Sequence, residues 1–511
     1  MKSFIKYTMA TVVGLFITMI LFSVIGIISL AGMIATEGMT APIKEKSILR
    51  LTLSGELTER SEENPMAMFM GESAASVSLE DALLALEKAA KNKNIEGVYI
   101  EAGALGATPG MAQELRQALV EFKESGKWVI AYGDSYGKTD YYLSSVADSV
   151  LLNPEGSVDF SGMASQIMFY KDVMEKLGIK MQVFKVGTYK SAVEPFICSE
   201  MSPANREQIT SYLFSIWTNM LKDVAESRGM ELSRLNSMAD TLTMFSGATT
   251  SLDCGLVDRL CYMDEVRTIL REKCGLEDED AELVFASVAE VAKSEELGDK
   301  IDEQVAVYYA YGEIVQSQSG GLTMNQGQQI VGDKMIKDLK NLREDDDVKA
   351  VVLRVNSPGG SVLASEKIKA EIKLIQEKGI PVIASYGDYA ASGGYWSSAG
   401  CDHIISNATT LTGSIGVFSM IPDISGTLKD KLHVNLTPVN SNKHADMLGM
   451  TRPLTAAEVD YMQASVERIY TKFTELVAEG REMTVADVDA IAQGRVWAGS
   501  DALKIGLVDE I

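Results

Sequence analysis

The chain repeats its own sequence pattern at a nearly constant distance, and this duplication limits the possible folds more than any other feature. Gly55-Glu56 follows one apolar run, and Gly312-Glu313 follows another. The closing segment 255–258 (Gly-Leu-Val-Asp) is repeated at 506–509. Matched segments lie between 251 and 257 residues apart along the whole length. We therefore interpret the chain as two copies of one unit.

Within each copy, short apolar runs rich in β-branched residues alternate with amphipathic helical stretches. Residues 95–100 match 348–353, and residues 126–131 match 379–384. Alternating strands and helices are typical of βα crossovers on a parallel sheet. The pattern predicts an α/β fold built from two tandem repeats.

Residues 1–36 are predicted to form an N-terminal signal anchor, that is, a transmembrane helix. Lys2 and Lys6 precede an uncharged apolar stretch at 7–36. About 20 apolar residues span a bilayer, whereas the core of a cleaved signal peptide is only ~7–15 residues long. The leading lysines predict a cytoplasmic N-terminus, with the rest of the chain across the membrane.

The remaining chain divides according to the duplication. We place the first repeat at 47–276, an acidic connector at 277–301 and the second repeat at 302–511. A net charge of −24 argues against a nucleic-acid partner. The sequence has no HExxH motif and no Cys/His cluster with ligand spacing, so we expect no metal site, and we expect no other cofactor.

Ser392 is the candidate nucleophile. It lies among small residues, Ala390 to Gly394, directly after the apolar run 381–386. This pattern predicts a sharp turn from a strand into a helix, which exposes the serine hydroxyl beside the backbone N–H groups of the helix N-terminus. Such a serine needs a base to activate it.

The two copies differ chemically at this turn and at a glycine pair. Ser392 aligns with Lys138, so the first copy lacks a nucleophile at that position. Gly359 and Gly360 follow a strand in the second copy, and the matching segment 104–110 lacks the double glycine. Paired glycines allow backbone N–H groups to approach a ligand closely, as in an oxyanion hole.

The base is expected to be a lysine, because the chain has only three histidines, His403, His433 and His444. A lysine acts as a base only if burial lowers its pKa toward neutrality. Lys190 and its repeat equivalent Lys443 are the candidates, and the sequence pattern alone does not separate them.

Taken together, these segments resemble the signal peptide peptidase A (protease IV) family in its long, duplicated form. The segments that carry the likeness are 186–196 (VGTYKSAVEPF), 356–361 (NSPGGS), 390–396 (AASGGYW) and 411–416 (LTGSIG). The resemblance implies a crotonase-like or Clp-protease-like fold for each repeat.

The resemblance also implies roles for individual residues. Ser392 corresponds to the nucleophile and Lys190 to the general base of a Ser/Lys dyad, with Lys443 as the alternative base. The Gly393 amide, with an amide of Gly359 or Gly360, corresponds to the oxyanion hole. Ser414, in the fourth of these segments, corresponds to the hydroxyl that orients the lysine amine.

The implied protein is a serine endopeptidase that hydrolyses remnant signal peptides or other apolar peptides through an acyl-enzyme. The resemblance further implies a homo-oligomer, a tetramer, in a bacterial cytoplasmic membrane with its catalytic part on the extracytoplasmic side. Two alternatives remain open at this stage. One is a crotonase-like acyl-CoA enzyme, which would not need Ser392, and the other is a non-catalytic membrane scaffold.

Overall fold

The computed structural model describes residues 2–37, 42–60, 76–278, 281–294, 303–317 and 328–511. Helix α1, Lys2–Glu37, comes first. Its segment Lys6–Val24 has 19 residues and a mean hydropathy of 2.0, and none of it is buried in the protein. By length and composition this segment can cross a membrane.

The first repeat alternates strands and helices, as the pattern predicts. Its strands are β1 (Ser47–Thr58), β2 (Ser76–Ser78), β3 (Ile95–Gly106), β4 (Trp128–Gly133), β5 (Ser149–Leu152), β6 (Lys180–Val186), β7 (Arg259–Leu260) and β8 (Val284–Ser287). Its helices are α2 (Leu79–Lys91), α3 (Pro109–Glu124), α4 (Lys138–Ser144), α5 (Lys171–Leu177), α6 (Glu194–Ile197), α7 (Pro203–Arg228), α8 (Leu232–Ala239), α9 (Ala248–Asp253), α10 (Met263–Lys273) and α11 (Val288–Ala292).

The second repeat also alternates strands and helices. Its strands are β9 (Gln304–Tyr311), β10 (Glu313–Val315), β11 (Gln329–Val331), β12 (Val348–Ser357), β13 (Val382–Ala391), β14 (His403–Ser406), β15 (Leu411–Gly413), β16 (Val417–Asp423) and β17 (Val496–Ala498). Its helices are α12 (Gly332–Glu344), α13 (Val362–Glu377), α14 (Gly393–Ser398), α15 (Ala456–Gly480), α16 (Val485–Ile491) and α17 (Gly499–Lys504).

Each repeat is built on its own sheet. In the first sheet the order is β2-β1-β3-β4-β5-β7, with all neighbouring pairs parallel. In the second the order is β17-β15-β13-β12-β9, with β17 antiparallel to β15. The predicted α/β fold, two tandem repeats after an apolar N-terminal helix, is confirmed.

Part of the segment predicted as a connector belongs to the first sheet. Strand β8 pairs in parallel with the start of β1, where Ser47 to Arg50 match Val284 to Ser287. Helix α11 follows it and begins with a capping box between Ser287 and Glu290. Residues 279–280 and 295–301 of the predicted connector lie outside the described residues.

The closing Gly-Leu-Val-Asp segments perform the same structural task in both repeats. In the first repeat, the Leu256 carbonyl accepts a hydrogen bond of 2.9 Å from the Tyr141 hydroxyl. The carbonyl of the leucine in segment 506–509 accepts one of 2.8 Å from Tyr395. Both tyrosines are buried. The duplication therefore extends to individual hydrogen bonds.

Local sequence signals explain the two long helices. Helix α7 begins after Ser202, whose hydroxyl accepts from the Asn205 N–H, with a proline in its first turn. Helix α15 begins with a capping box between Thr455 and Glu458.

Alternation along β12 sends its side chains to two different environments. Val351, Leu353 and Val355 enter the apolar core of the second repeat. The alternate positions point to the other face, where Arg354 and Asn356 contact Glu59 of the first repeat. The second sheet therefore has one apolar face and one face that carries polar contacts to the other repeat.

A strand of the first repeat also pairs with a strand of the second. Strands β6 and β16 are antiparallel, with Lys180 opposite Asp423 at one end and Val186 opposite Val417 at the other. Phe184 and Val417 are buried against Val466 of α15. This pair carries the segment after β6 to the edge of the second sheet.

Candidate active site

Ser392 occupies the sharp turn that the sequence predicts. It lies between the end of β13 and the start of α14, with φ of 53° and ψ of −114°. This backbone conformation is unfavourable for a residue with a side chain. Two hydrogen bonds hold it, from Ser392 N–H to the Gly413 carbonyl at 2.9 Å and from Trp396 N–H to the Ser392 carbonyl at 2.8 Å.

The glycine pair lies directly beside this turn. Gly359 and Gly360 have φ of 106° and 148°, a region that favours glycine. A Cβ on Gly360 would lie 2.1 Å from the Ile314 carbonyl oxygen. A Cβ on Gly393 would lie 3.0 Å from the Gly360 nitrogen and 2.7 Å from Ser365 Oγ. The backbones of the two glycine segments are thus as close as they can pack.

Two of these amides are available to a ligand. The Gly359 N–H donates to Ser357 Oγ at 3.1 Å, so this amide already has an acceptor. Across the described ranges, no protein acceptor takes a hydrogen bond from the N–H of Gly360 or of Gly393. The Gly393 amide is in the first turn of α14, where helical N–H groups have no intrahelical partner.

Lys190 reaches Ser392 from the other repeat. Its Nζ lies 3.3 Å from Ser392 Oγ. The same nitrogen lies 2.9 Å from the Ser414 carbonyl oxygen and 2.9 Å from Ser414 Oγ. Only 4% of Lys190 is exposed. Burial lowers the pKa of its ammonium group from 10.5 to about 7, since desolvation disfavours the charged form.

The segment that carries Lys190 is held by the end of the second repeat. Tyr189 N–H donates to the Gln493 carbonyl at 2.8 Å. A Cβ on Gly494, whose φ is 76°, would lie 2.7 Å from the Lys190 backbone nitrogen. Together with the β6–β16 pair, these contacts fix the lysine relative to Ser392.

The acid nearest to Lys190 in the sequence points elsewhere. Glu194 is buried and accepts hydrogen bonds from Ser202 Oγ at 2.6 Å and from Asn205 Nδ2 at 3.0 Å. In the part of the chain that the structure describes, no carboxylate forms an ion pair with Lys190. A carboxylate there would raise the lysine pKa and oppose the effect of burial.

The other candidate bases lie away from Ser392. Lys443 is exposed. Its neighbour His444 contacts Glu458 at the start of α15, with Nδ1 2.9 Å from Oε1. His403, at the start of β14, contacts Glu510, and His433 is exposed. Among the described residues, only Lys190 brings a basic side-chain nitrogen within hydrogen-bond distance of Ser392 Oγ.

A buried ionic cluster beneath the site was not found by sequence reasoning. Arg354 of β12 forms ion pairs with Glu59 of the first repeat at 3.1 Å and with Glu114 of α3 at 2.8 Å. These two carboxylates raise the pKa of the Arg354 guanidinium further, despite its burial. A charged residue inside the apolar run 348–355 was the available signal.

The same cluster supports the turn through Asn356 and Asp388. Asn356 Nδ2 donates to Glu59 Oε1 at 2.7 Å and to Asp388 Oδ2 at 3.0 Å. Asp388 also accepts from the Met111 N–H of α3 at 3.0 Å. The strands that end in the glycine pair and in Ser392 are therefore tied to each other and to the first repeat.

An apolar cleft of about 490 Å³ opens at Ser392. Its walls include Val362, Trp396, Val417 and Phe473. The rings of Trp396 and Phe473 have centroids 4.8 Å apart. The site therefore combines a hydroxyl, a buried amine, two free amides and an apolar cleft, which is the equipment for acyl transfer.

The family model described as "Peptidase family S49" matches residues 121–277 and 375–511. The first matched segment contains Lys190. The second contains Ser392 and Ser414.

Three curated relatives match over most of the chain. "Protease 4" of Salmonella typhi is 38% identical over 441 residues, covering 85% of this chain and 70% of the relative. "Protease 4" of Haemophilus influenzae is 34% identical over 498 residues, covering 92% and 78%. "Serine protease SPPA, chloroplastic" of Arabidopsis thaliana is 31% identical over 472 residues, covering 92% and 68%.

Proposed function

The chain belongs to peptidase family S49 and is a serine protease, and from that premise we propose that it hydrolyses peptide bonds with a Ser392–Lys190 dyad. The observation that carries the proposal is the 3.3 Å distance between a buried lysine nitrogen and the serine hydroxyl. The family assignment argues against the two alternatives, an acyl-CoA enzyme and a scaffold without chemistry.

In the first half of the reaction, neutral Lys190 takes the proton of the Ser392 hydroxyl while Oγ attacks the peptide carbonyl carbon. The tetrahedral intermediate collapses as the protonated lysine gives its proton to the leaving amine, and the acyl-enzyme remains. In the second half, Lys190 takes a proton from water, which attacks the ester. The lysine then returns the proton to Ser392 Oγ, and the carboxylic acid product leaves.

The oxyanion is proposed to bind to the N–H groups of Gly360 and Gly393. Both amides lack a protein acceptor in the described chain, whereas the Gly359 amide donates to Ser357. Gly359 contributes by its positive φ and by the absence of a side chain, since a Cβ there would lie 2.6 Å from the Gly393 nitrogen. Ser414 orients the lysine through two oxygens without adding a negative charge.

Substrates are proposed to be extended apolar peptides, remnant signal peptides among them. The walls of the cleft at Ser392 are mainly apolar, which suits apolar side chains. The resemblance to signal peptide peptidases points to the same class.

Helix α1 is proposed to anchor the protein in a bacterial cytoplasmic membrane. Lys2 and Lys6 would keep its N-terminus in the cytoplasm and leave both repeats, 47–276 and 302–511, on the extracytoplasmic side. As the resemblance implies, the chains are proposed to assemble into a homo-oligomer, a tetramer.

A comparison of Lys190→Met with Lys443→Met tests the dyad. Each full-length protein is assayed in detergent on one fluorogenic apolar peptide between pH 5 and pH 9. Lys190→Met should lower kcat/KM by roughly 10²–10⁴, because it removes the base, whereas Lys443→Met should leave it unchanged. Methionine suits the buried site because it introduces no charge.

The wild-type pH profile gives a second result from the same experiment. Because the neutral amine is the active form, kcat/KM should rise with pH through about 7 and then level off. Thermal melting of each variant controls for folding. Equal, mild losses in both lysine variants would contradict the proposal, and so would a larger loss in Lys443→Met.

A further inference from the structure

The first repeat contains an apolar cavity of about 190 Å³. Its lining is Ala107, Pro109, Ala112, Tyr142, Phe160, Met163, Trp217 and Met220, among others. Lys138 and Asp159 are charged residues at its mouth, where Nζ and Oδ2 are 3.9 Å apart.

This cavity is built from the positions that form the Ser392 cleft in the second repeat. Corresponding residues lie 253 or 254 positions apart, as the duplication requires. The matched wall residues are Pro109 with Val362, Tyr142 with Trp396, Met163 with Val417 and Met220 with Phe473. Pro109 and Val362 each begin the helix after the central strand, and Met220 and Phe473 lie on the long helices α7 and α15. The cavity is therefore a second copy of the substrate cleft.

The reactive groups are missing from this copy. Lys138 stands where the second repeat has Ser392, and Phe160 stands where it has Ser414. Neither residue supplies a nucleophile or a hydroxyl for a base.

The turn of the first repeat that corresponds to the Ser392 turn carries a buried carboxylate. Asp140 is 2% exposed, and its carboxylate accepts hydrogen bonds from Leu105 N–H at 3.1 Å and Gly137 N–H at 3.2 Å. Asp140 corresponds to Gly394, which has no side chain. This turn therefore differs from the Ser392 turn, and the apolar cavity beside it stays open.

The cavity suits one apolar side chain of medium or large size. The Phe160 ring packs against the rings of Tyr141 and Trp217, with centroid distances of 5.6 Å in both cases. The Tyr142 hydroxyl donates a hydrogen bond to the Asp223 carboxylate. An apolar cavity of about 150 Å³ is large enough to bind benzene.

The cavity is also a near neighbour of the Ser392 turn. Pro109 and Ala112, in the first turn of α3, line the cavity, and Met111 between them donates to Asp388. Asp388 precedes Ser392 by only four residues, so the cavity wall and Ser392 lie within roughly 25 Å of each other. An extended peptide of about eight residues is long enough to span this distance.

We propose that the first repeat binds, without cleaving it, an apolar side chain of the peptides that this protease handles. The identity of the ligand rests on the proposed function, whereas the existence of the site rests on the cavity itself. On this proposal, the cleft of the second repeat hydrolyses the peptide, and the matching cavity of the first repeat only binds it.

Photo-cross-linking tests this site in the full-length Ser392→Ala protein, which cannot form an acyl-enzyme. The probe is an acetylated and amidated Ala/Leu decapeptide that carries one diazirine analogue of leucine. We expect saturable cross-links in segments 160–163 and 217–224, in addition to those in the Ser392 cleft. Because binding is measured without hydrolysis, failure of the Ser392–Lys190 mechanism would leave this result unchanged.

Cavity-filling variants provide the specificity control. Ala107→Trp should lower the cross-link yield in these two segments by roughly tenfold or more, because it occupies the space of the ligand side chain. The matched control Gln117→Trp, on an exposed position of α3, should not. Ala112→Leu fills the cavity from the other side and guards against a folding defect in Ala107→Trp, and melting curves are compared for all three variants.

Three results would overturn the proposal. The first is saturable labelling that is confined to the Ser392 cleft. The second is labelling of the first repeat that neither filling variant reduces. The third is displacement of the probe by detergent but not by the unlabelled peptide, which would assign the cavity to alkyl chains.

Discussion

The two repeats support their sheets with matching hydrogen bonds, but the turns that follow their central strands carry chemically different residues. In the first repeat the carboxylate of Asp148 accepts from the Val129 N–H at 2.8 Å, and in the second Asp402 accepts from Val382 at 2.7 Å. These contacts stabilise the backbone, so a duplicated unit keeps them whatever it binds. Shared contacts of this kind identify the fold and say nothing about activity.

The differences concentrate at a few side chains of the turn. Lys138 of the first repeat corresponds to Ser392 of the second, and Asp140 corresponds to Gly394. Gly394 has no side chain, whereas the Asp140 carboxylate accepts hydrogen bonds from the Leu105 and Gly137 N–H groups. The first repeat therefore lacks the serine of the second and carries a buried carboxylate where the second has a glycine.

Each repeat is also incomplete without the other. The first repeat supplies Lys190 to the cleft of the second, and its Glu59 neutralises the buried Arg354. An isolated second repeat would keep Ser392 and lose both contacts. The comparison therefore teaches that one copy carries the proposed nucleophile, while the other supplies the proposed base and part of the structural support of the site.

The largest expected effect comes from exchanging the two residues at the turn for alanine. Ser392→Ala should lower turnover of an apolar peptide by roughly 10⁴-fold or more, since it removes the proposed nucleophile. Lys138→Ala should leave turnover of a short peptide unchanged, because its ion pair with Asp159 is a partly exposed one. Initial rates on one fluorogenic peptide measure both, and a loss in Lys138→Ala comparable to that in Ser392→Ala would break the comparison.

A smaller effect is expected at the glycine pair. Gly360→Ala should lower kcat by roughly 10²–10³, the cost of losing one oxyanion donor, because its Cβ would meet the Ile314 carbonyl oxygen and displace the amide. In the first repeat, a Cβ on Gly106 would meet only the end of the flexible Glu56 side chain. Gly106→Ala should therefore leave kcat unchanged, and single-turnover kinetics of folded protein distinguish the two variants. Similar losses in both would show that the glycines act through folding.

The smallest effect is a change of stability without a change of chemistry. Asp140→Asn should destabilise the first repeat by about 1–3 kcal/mol, because an amide cannot accept from both N–H groups as the carboxylate does. Activity per folded molecule should not change. Urea unfolding followed by the fluorescence of the tryptophans, together with assays at low urea, measures both quantities. Unchanged stability would mean that the carboxylate does not hold the two amides together.

Much of the fold could be predicted from the sequence. The constant separation of matched segments and the alternation of strand and helix patterns predicted two α/β repeats, and capping residues such as Ser202 and Thr455 start helices where the local pattern indicates. These features depend on short-range geometry, which a short segment of sequence encodes. The domain bounds 47–276, 277–301 and 302–511 stay predictions, and β8 at 284–287 pairs with the first sheet.

The candidate site could be predicted only in part. The turn at Ser392 follows from small residues after a strand, and the structure has it there, whereas the positive φ of Gly359 and Gly360 was seen only in the structure. The cluster around Arg354 escaped prediction, because its partner Glu59 is 295 residues away and no local pattern links them. The hydrogen bonds from two backbone N–H groups to the Asp140 carboxylate also escaped prediction, since an aspartate in the first turn of a helix is ordinary at the level of sequence.

By itself, the sequence determined that the chain is duplicated and that a serine follows a strand beside paired glycines in one copy only, and its scarcity of histidine favoured a lysine base. Only the tertiary structure decided which lysine amine lies beside Ser392 Oγ. The antiparallel pairing of β6 with β16 carries Lys190 across 202 residues of chain into a buried position, whereas Lys443 is left in solvent. The physical reason is that strand pairing and burial, not spacing along the chain, decide both the position of an amine and the pKa it has there.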